Sequence, residues 1–169
     1  MAARLTALAD LPFTPFHFGP GLLAKGASPR HVSFTAFVAS QVAVDCEPLY
    51  HYLRNEYPLH GAFHTVLGGG LVGLATGAAV WAVGLPLADR LPALLRRDIT
   101  RGAALTGGLI GGVSHALIDG LVHRDMRPLW PVAGTTWVLP PLGIAAVPLA
   151  CVMAGVLGAS LWLVRRERA

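Results

Sequence analysis

Residues 64–86 contain no Asp, Glu, Lys or Arg. At 1.5 Å per helical residue these 23 positions cover about 34 Å, more than the roughly 30 Å hydrocarbon core of a bilayer. A stretch of that kind has few ways to fold in water, and two more follow it. Residues 103–123 stay free of formal charge as far as Ile118 and become polar only at His115, Asp119 and His123. Residues 138–164 carry Pro140 and Pro141 where a first helical turn tolerates proline, and Pro148 where a kink is expected. Only 13% of the 169 residues are charged while 54% are hydrophobic, against about 25% charged in soluble domains. That leaves too little polar surface for a soluble domain and too much apolar content for disorder. The expectation is an all-α, multi-pass membrane protein built as one domain over residues 1–169.

The N-terminal part is less regular. Residues 16–25 and 31–44 are short apolar pieces joined by a basic turn at 26–30, and neither reaches the length of a span. They predict a re-entrant helical hairpin over residues 15–46, giving three full spans plus the hairpin, or four spans if the hairpin crosses fully. Arg4 and Asp10 interrupt the extreme N-terminus, which does not read as a signal peptide. With the hairpin turn in the cytoplasm, that side holds Lys25, Arg30, Arg90, Arg96, Arg97, Arg101, Arg165, Arg166 and Arg168, and the other only Arg4, Arg54, Arg124 and Arg127. Nine against four predicts a cytoplasmic C-terminus in the cell (inner) membrane. The same residues explain the net charge of +4 without a basic face interleaved with aromatics, so no nucleic-acid partner is expected. Cys46 and Cys151 fall at different depths, and no disulfide between them is expected.

Small residues four apart, Gly69/Gly73/Gly77, Gly107/Gly111, Gly108/Gly112 and Gly155/Ala159, predict close helix packing. The polar residues are more telling, because this topology sends His17, Asp45, Glu47, His60, His64, His115, Asp119 and His123 to one membrane face. His60 and His64 are four apart, as are His115 and Asp119, so each pair placed on a helix shares a face and can chelate an ion. On spacing these four read as metal ligands. His17 and Asp45 stand open between ligand and interface residue, and Glu47 and His123 between catalytic group and interface residue. His31 and His51 read as hydrogen-bonded structural histidines.

Several stretches resemble the blocks of a bacterial family of membrane-bound metal-dependent hydrolases related to zinc-dependent phospholipase C. They are Leu11-Pro12-Phe13-Thr14-Pro15-Phe16-His17, Val44-Asp45-Cys46-Glu47-Pro48, His60-Gly61-Ala62-Phe63-His64-Thr65, Ser114-His115-Ala116-Leu117-Ile118-Asp119 and Pro128-Leu129-Trp130-Pro131. The resemblance covers roughly residues 11–131, and it implies a helical fold with His17, Asp45, His64, His115 and Asp119 as ligands. Members often carry a His-Arg-Gly-x-Thr-His-Ser block, whereas here the histidines are four apart rather than five and the Arg is missing; the Asp-x-Asp block reads Asp45-Cys46-Glu47.

The function expected is hydrolysis of an ester or phosphoester, with membrane lipids the nearest substrates. One or more Zn²⁺ would be held at the non-cytoplasmic interface, with Glu47 as general base and His123 as a second catalytic group. A non-enzymatic alternative is a protein that binds or conducts divalent metal, although residues 66–85 and 103–113 offer almost no polar path across the membrane. Another is a structural protein that senses pH through its histidines.

Overall fold

The computed structural model describes residues 15–166. The N-terminal segment bearing Arg4 and Asp10, and residues 11–14 of the first resembling block, lie outside the described residues. Among the described residues the chain is all-helical, with six α-helices and no strand: α1 (Phe18–Ala27), α2 (Phe34–Arg54), α3 (Val66–Leu87), α4 (Ala93–Asp98), α5 (Arg101–Asp119) and α6 (Pro141–Arg166). Short 3₁₀ turns at Pro15–His17 and Ala62–His64 precede α1 and α3. Two helices, α3 and α6, are long and apolar enough to cross a membrane.

Local chemistry sets the helix ends. Ser33 caps α2 by accepting from the Ala36 N–H at 3.0 Å, and Thr65 caps α3 by accepting from the Gly68 N–H at 2.9 Å. α2 ends at Asn55, whose left-handed backbone (φ 56°) brings its N–H back to the carbonyls of His51 and Tyr52. α6 begins at Pro141, where a missing N–H costs nothing, and it continues through Pro148.

α3 and α5 pack through small residues. Gly69, Gly73 and Gly77 of α3 face Gly112, Gly108 and Ala104 of α5 so closely that a Cβ on any of these three would strike the opposing carbonyl oxygen. The other α5 row, Gly107 and Gly111, lies against Ser33, Phe37 and Ser40 of α2. α5 is therefore the central helix, with α3 on one side and α2 on the other. α1 and α6 form a second pair in the same manner, Gly19 against the Cys151 carbonyl and Gly26 against that of Gly158. In α6 the small residues that meet α1 are Gly155 and Gly158, so the close contact falls one residue before the expected Ala159. Both cysteines are free.

Three boundaries depart from the sequence reading. The return arm of the hairpin does not stop at residue 46 but runs to Arg54 with Pro48 buried inside it; Asp45 and Glu47 turn inward to polar partners, so their charges do not end the helix. The segment expected over 103–123 starts earlier, at Arg101, and stops at Asp119, with Gly120 as its cap. Residues 93–98, read as part of a loop, form α4, because Pro92 starts a turn whose carbonyl accepts from the Arg96 N–H at 3.1 Å.

Buried and exposed groups are distributed unusually. His17, Ser33, Ser40, Gln41, His60, His64, Asp98, His115 and Asp119 are buried, while Leu67, Leu71, Val83, Leu142, Leu149 and Val156 of α3 and α6 face outward. The buried polar groups collect at the two ends of the α2–α3–α5 unit.

Candidate metal centre

At one end, the C-terminal half of α2, the turn before α3 and the C-terminus of α5 converge. Asp45, His64, His115 and Asp119 present ligand atoms that all lie within 4.8 Å of one another. His115 and Asp119 meet because they are one turn apart on α5, Nε2 to Oδ2 3.0 Å. Asp45 of α2 brings Oδ1 to 3.2 Å from the same Nε2, and His64 Nε2 lies 3.9 Å from Asp119 Oδ2.

The tautomers follow from the partners behind each ring. His64 Nδ1 is 3.0 Å from Glu47 Oε2, and a carboxylate only accepts. His115 Nδ1 is 2.6 Å from Gln41 Oε1, an orientation fixed by the Gln41 amide nitrogen donating to the Gly111 carbonyl at 3.1 Å. Both Nδ1 atoms therefore carry a proton and donate, so that in the neutral form of each ring the lone pair is on Nε2. Those Nε2 atoms, with Asp45 Oδ1 and Asp119 Oδ2, are buried and make no hydrogen bond. Each imidazole Nε2 lies 3.0–3.9 Å from a carboxylate oxygen without a hydrogen bond to it, and the four ligand atoms gather within 4.8 Å of one another. Lone pairs gathered in this way repel, and orphaned buried polar atoms are rare in folded proteins. A divalent cation removes both difficulties: two carboxylates cancel its charge, and two neutral imidazoles complete a four-ligand set. These buried His and Asp residues can hold a metal ion.

The remaining expected residues take distinct places. His17, on the 3₁₀ turn before α1, sets Nε2 3.1 Å from Asp119 Oδ1, and its ring stands edge-on to His115 at 4.8 Å. It touches the outer oxygen of Asp119 and lies outside the converging group. Glu47, expected as general base, accepts from the Gly61 N–H at 3.0 Å, from the Phe63 N–H at 3.0 and 3.1 Å, and from His64. Its oxygens hold the turn before α3 and orient His64. His60 and His64 do not share a helix face: His60 precedes the 3₁₀ turn and His64 ends it, and the loop brings their rings to 4.7 Å. His123 does not extend an α5 stripe, since the helix stops at Asp119 and the turn after it sets His123 beside His60, the rings tilted by 32° with centroids 4.4 Å apart. His51 Nδ1 lies 3.0 Å from the Pro58 carbonyl, and His31 is exposed.

Two residues escaped the sequence reading. Asp125 lies 2.9 and 3.0 Å from His60 Nδ1, and accepts from the backbone N–H groups of Leu59 and His60 at 3.1 and 3.2 Å. Burial works to raise its pKa, yet the hydrogen bonds from the His60 ring and backbone hold the carboxyl below its ordinary value. The signal was its place two residues after His123. For Gln41 the signal was its place four residues before Asp45 on α2.

Comparison of the chain with protein-family models, curated proteins and solved structures finds no match in any of the three.

Proposed function

We propose that this protein is a membrane-embedded, metal-dependent hydrolase. Asp45, His64, His115 and Asp119 would hold one divalent ion, Zn²⁺ by the mixed imidazole–carboxylate donor set. The observation that carries the reading is the convergence of four buried, unpartnered ligand atoms, two of them on imidazoles whose protons are fixed on the far nitrogen. The family resemblance implies the same chemistry.

When bound, such an ion supplies Lewis acidity toward water and toward the oxygen of an ester or phosphoester. The chain's own residues do the rest. Glu47 and Gln41 keep the proton of each imidazole away from the centre, and His17 fixes the outer oxygen of Asp119. Asp45, at 18% side-chain exposure the most open of the four, marks the side from which a substrate enters.

Membrane residence rests on the outward-facing leucines and valines of α3 and α6, which would meet lipid tails. In this reading α3, α5 and α6 are the three full spans and α1–α2 the hairpin. The basic residues around α4 and at the end of α6 lie on the cytoplasmic side of the inner membrane, and the metal centre lies at the opposite interface beside lipid headgroups. Membrane lipid esters are then the nearest substrates.

The test is hydrolysis by the purified chain in phospholipid vesicles, with headgroup and fatty-acid release followed separately. Turnover abolished by a chelator, restored by zinc and absent in Asp119→Ala is expected. Zinc-loaded protein that cleaves neither bond overturns the hydrolase reading.

A further inference from the structure

Beside the first group stands a second, His60, His123 and Asp125, whose ligand atoms also lie within 4.8 Å of one another. It shares the loop between α2 and α3 with the first group and takes its other two members from the turns after α5. The His60 side chain is 1% exposed. Its Nδ1 faces both oxygens of Asp125, which accept only, so Nδ1 carries a proton and in the neutral ring Nε2 presents a lone pair. That Nε2 is buried and has no hydrogen-bond partner. A histidine kept for packing would use both nitrogens; here one is anchored by a carboxylate and the other left bare, as in carboxylate–histidine–metal arrangements. The ring stands 4.4 Å from His123 and 4.7 Å from His64, which puts it on the border between the two groups.

We propose that the His60 group is a second divalent-cation site, with His60 Nε2 and His123 as nitrogen ligands and Asp125 as the positioning carboxylate. Filled together with the first, it makes a two-ion centre. The inference rests on the metal-binding part of the function proposed above and adds a second ion that the single-ion reading does not require.

The experiment is a Co²⁺ titration of the full-length chain in detergent after chelator stripping, read by its visible spectrum and by electron paramagnetic resonance. Two equivalents per chain are expected in the native protein, with spin coupling between them at full loading. His60→Ala keeps one equivalent and loses the coupling, and His115→Ala keeps the other. Asp125→Asn, which preserves shape, weakens only the second equivalent by about 10–100-fold. A native stoichiometry of one, unchanged in His60→Ala, overturns the second site and leaves the first standing. Two equivalents undiminished by both His60→Ala and Asp125→Asn also overturn it, and no bound cobalt at all overturns both readings.

Discussion

The two ends of the α2–α3–α5 unit bury the same kinds of groups and treat them in opposite ways. At the far end, Asp98 closes α4 and meets Lys25 of α1, Nζ to Oδ1 2.6 Å. The same carboxylate accepts from the Ser33 hydroxyl and from the Phe34 and Thr35 N–H groups at the start of α2, at 3.0, 3.2 and 2.9 Å. Lys25 spends its other two donors on the carbonyls of Pro29 and Val32 at 2.7 and 2.9 Å. Both charged groups are saturated, so this end is a clasp joining the α1–α6 pair to the rest. At the His end the groups behind each ring are satisfied and the atoms in front are not. Burial of charge alone therefore does not suit an end for a cation; buried ligand atoms gathered within 4.8 Å and left without hydrogen bonds do.

Substitutions at the two ends should separate metal binding from stability. The largest effect is expected for Asp119→Ala, which removes the carboxylate shared by His115, His64 and His17. Its affinity for zinc at the first site should fall by more than about 100-fold, beyond the 10–100-fold typical of residues behind the ligands, as measured by competition with a chromophoric chelator. Asp98→Ala should do the reverse. It strands Lys25, 12% exposed, without its partner and is expected to cost about 3–5 kcal/mol of stability, read as a lower unfolding temperature in detergent, with zinc affinity unchanged. A loss of zinc in Asp98→Ala under conditions where the chain stays folded would erase the distinction between the ends.

Glu47→Gln is a finer probe. It keeps one oxygen but removes the charge behind His64 and one acceptor of the turn before α3, so zinc affinity should drop by about 10-fold with a modest fall in the unfolding temperature of the metal-free chain. The smallest effect is a pH dependence at the clasp. Burial pushes the Asp98 carboxyl up, but Lys25 and the Thr35 N–H outweigh it and hold it below its ordinary value. The native form thus binds its proton less readily than the unfolded chain. The contribution is full above the unfolded pKa of about 3.9 and is lost as pH falls through the lower folded value. Native protein should lose stability over that acid window, and Asp98→Asn should show a flatter profile there.

How much of this was legible in the sequence differs between the same two ends. Long uncharged runs specify α3 and α6 to within three residues at each end, because length and apolarity are local properties. The glycine rows specify which faces of α3 and α5 meet for the same reason. His115 and Asp119 were legible as a pair because a single helix carries both. His60 and His64 share that spacing without a helix, and their proximity comes from a loop whose shape Glu47 and Thr65 dictate from elsewhere in the chain. The roles of Gln41 and Asp125 depend on which acceptor faces which ring nitrogen, a tertiary fact with no periodicity to reveal it. The clasp was invisible for a similar reason: Lys25 and Asp98 are 73 residues apart, and each alone resembles an ordinary loop charge.

The central claim is that the converging atoms of Asp45, His64, His115 and Asp119 are metal ligands. It is tested most directly by zinc-edge X-ray absorption on the detergent-purified chain, with zinc content measured on the same sample. At least one zinc per chain is expected in a nitrogen–oxygen shell with imidazole scattering, lost in a His64→Ala/His115→Ala double variant and kept in Asp98→Asn. A chain that takes up no added zinc, or holds it without imidazole ligands, would contradict it.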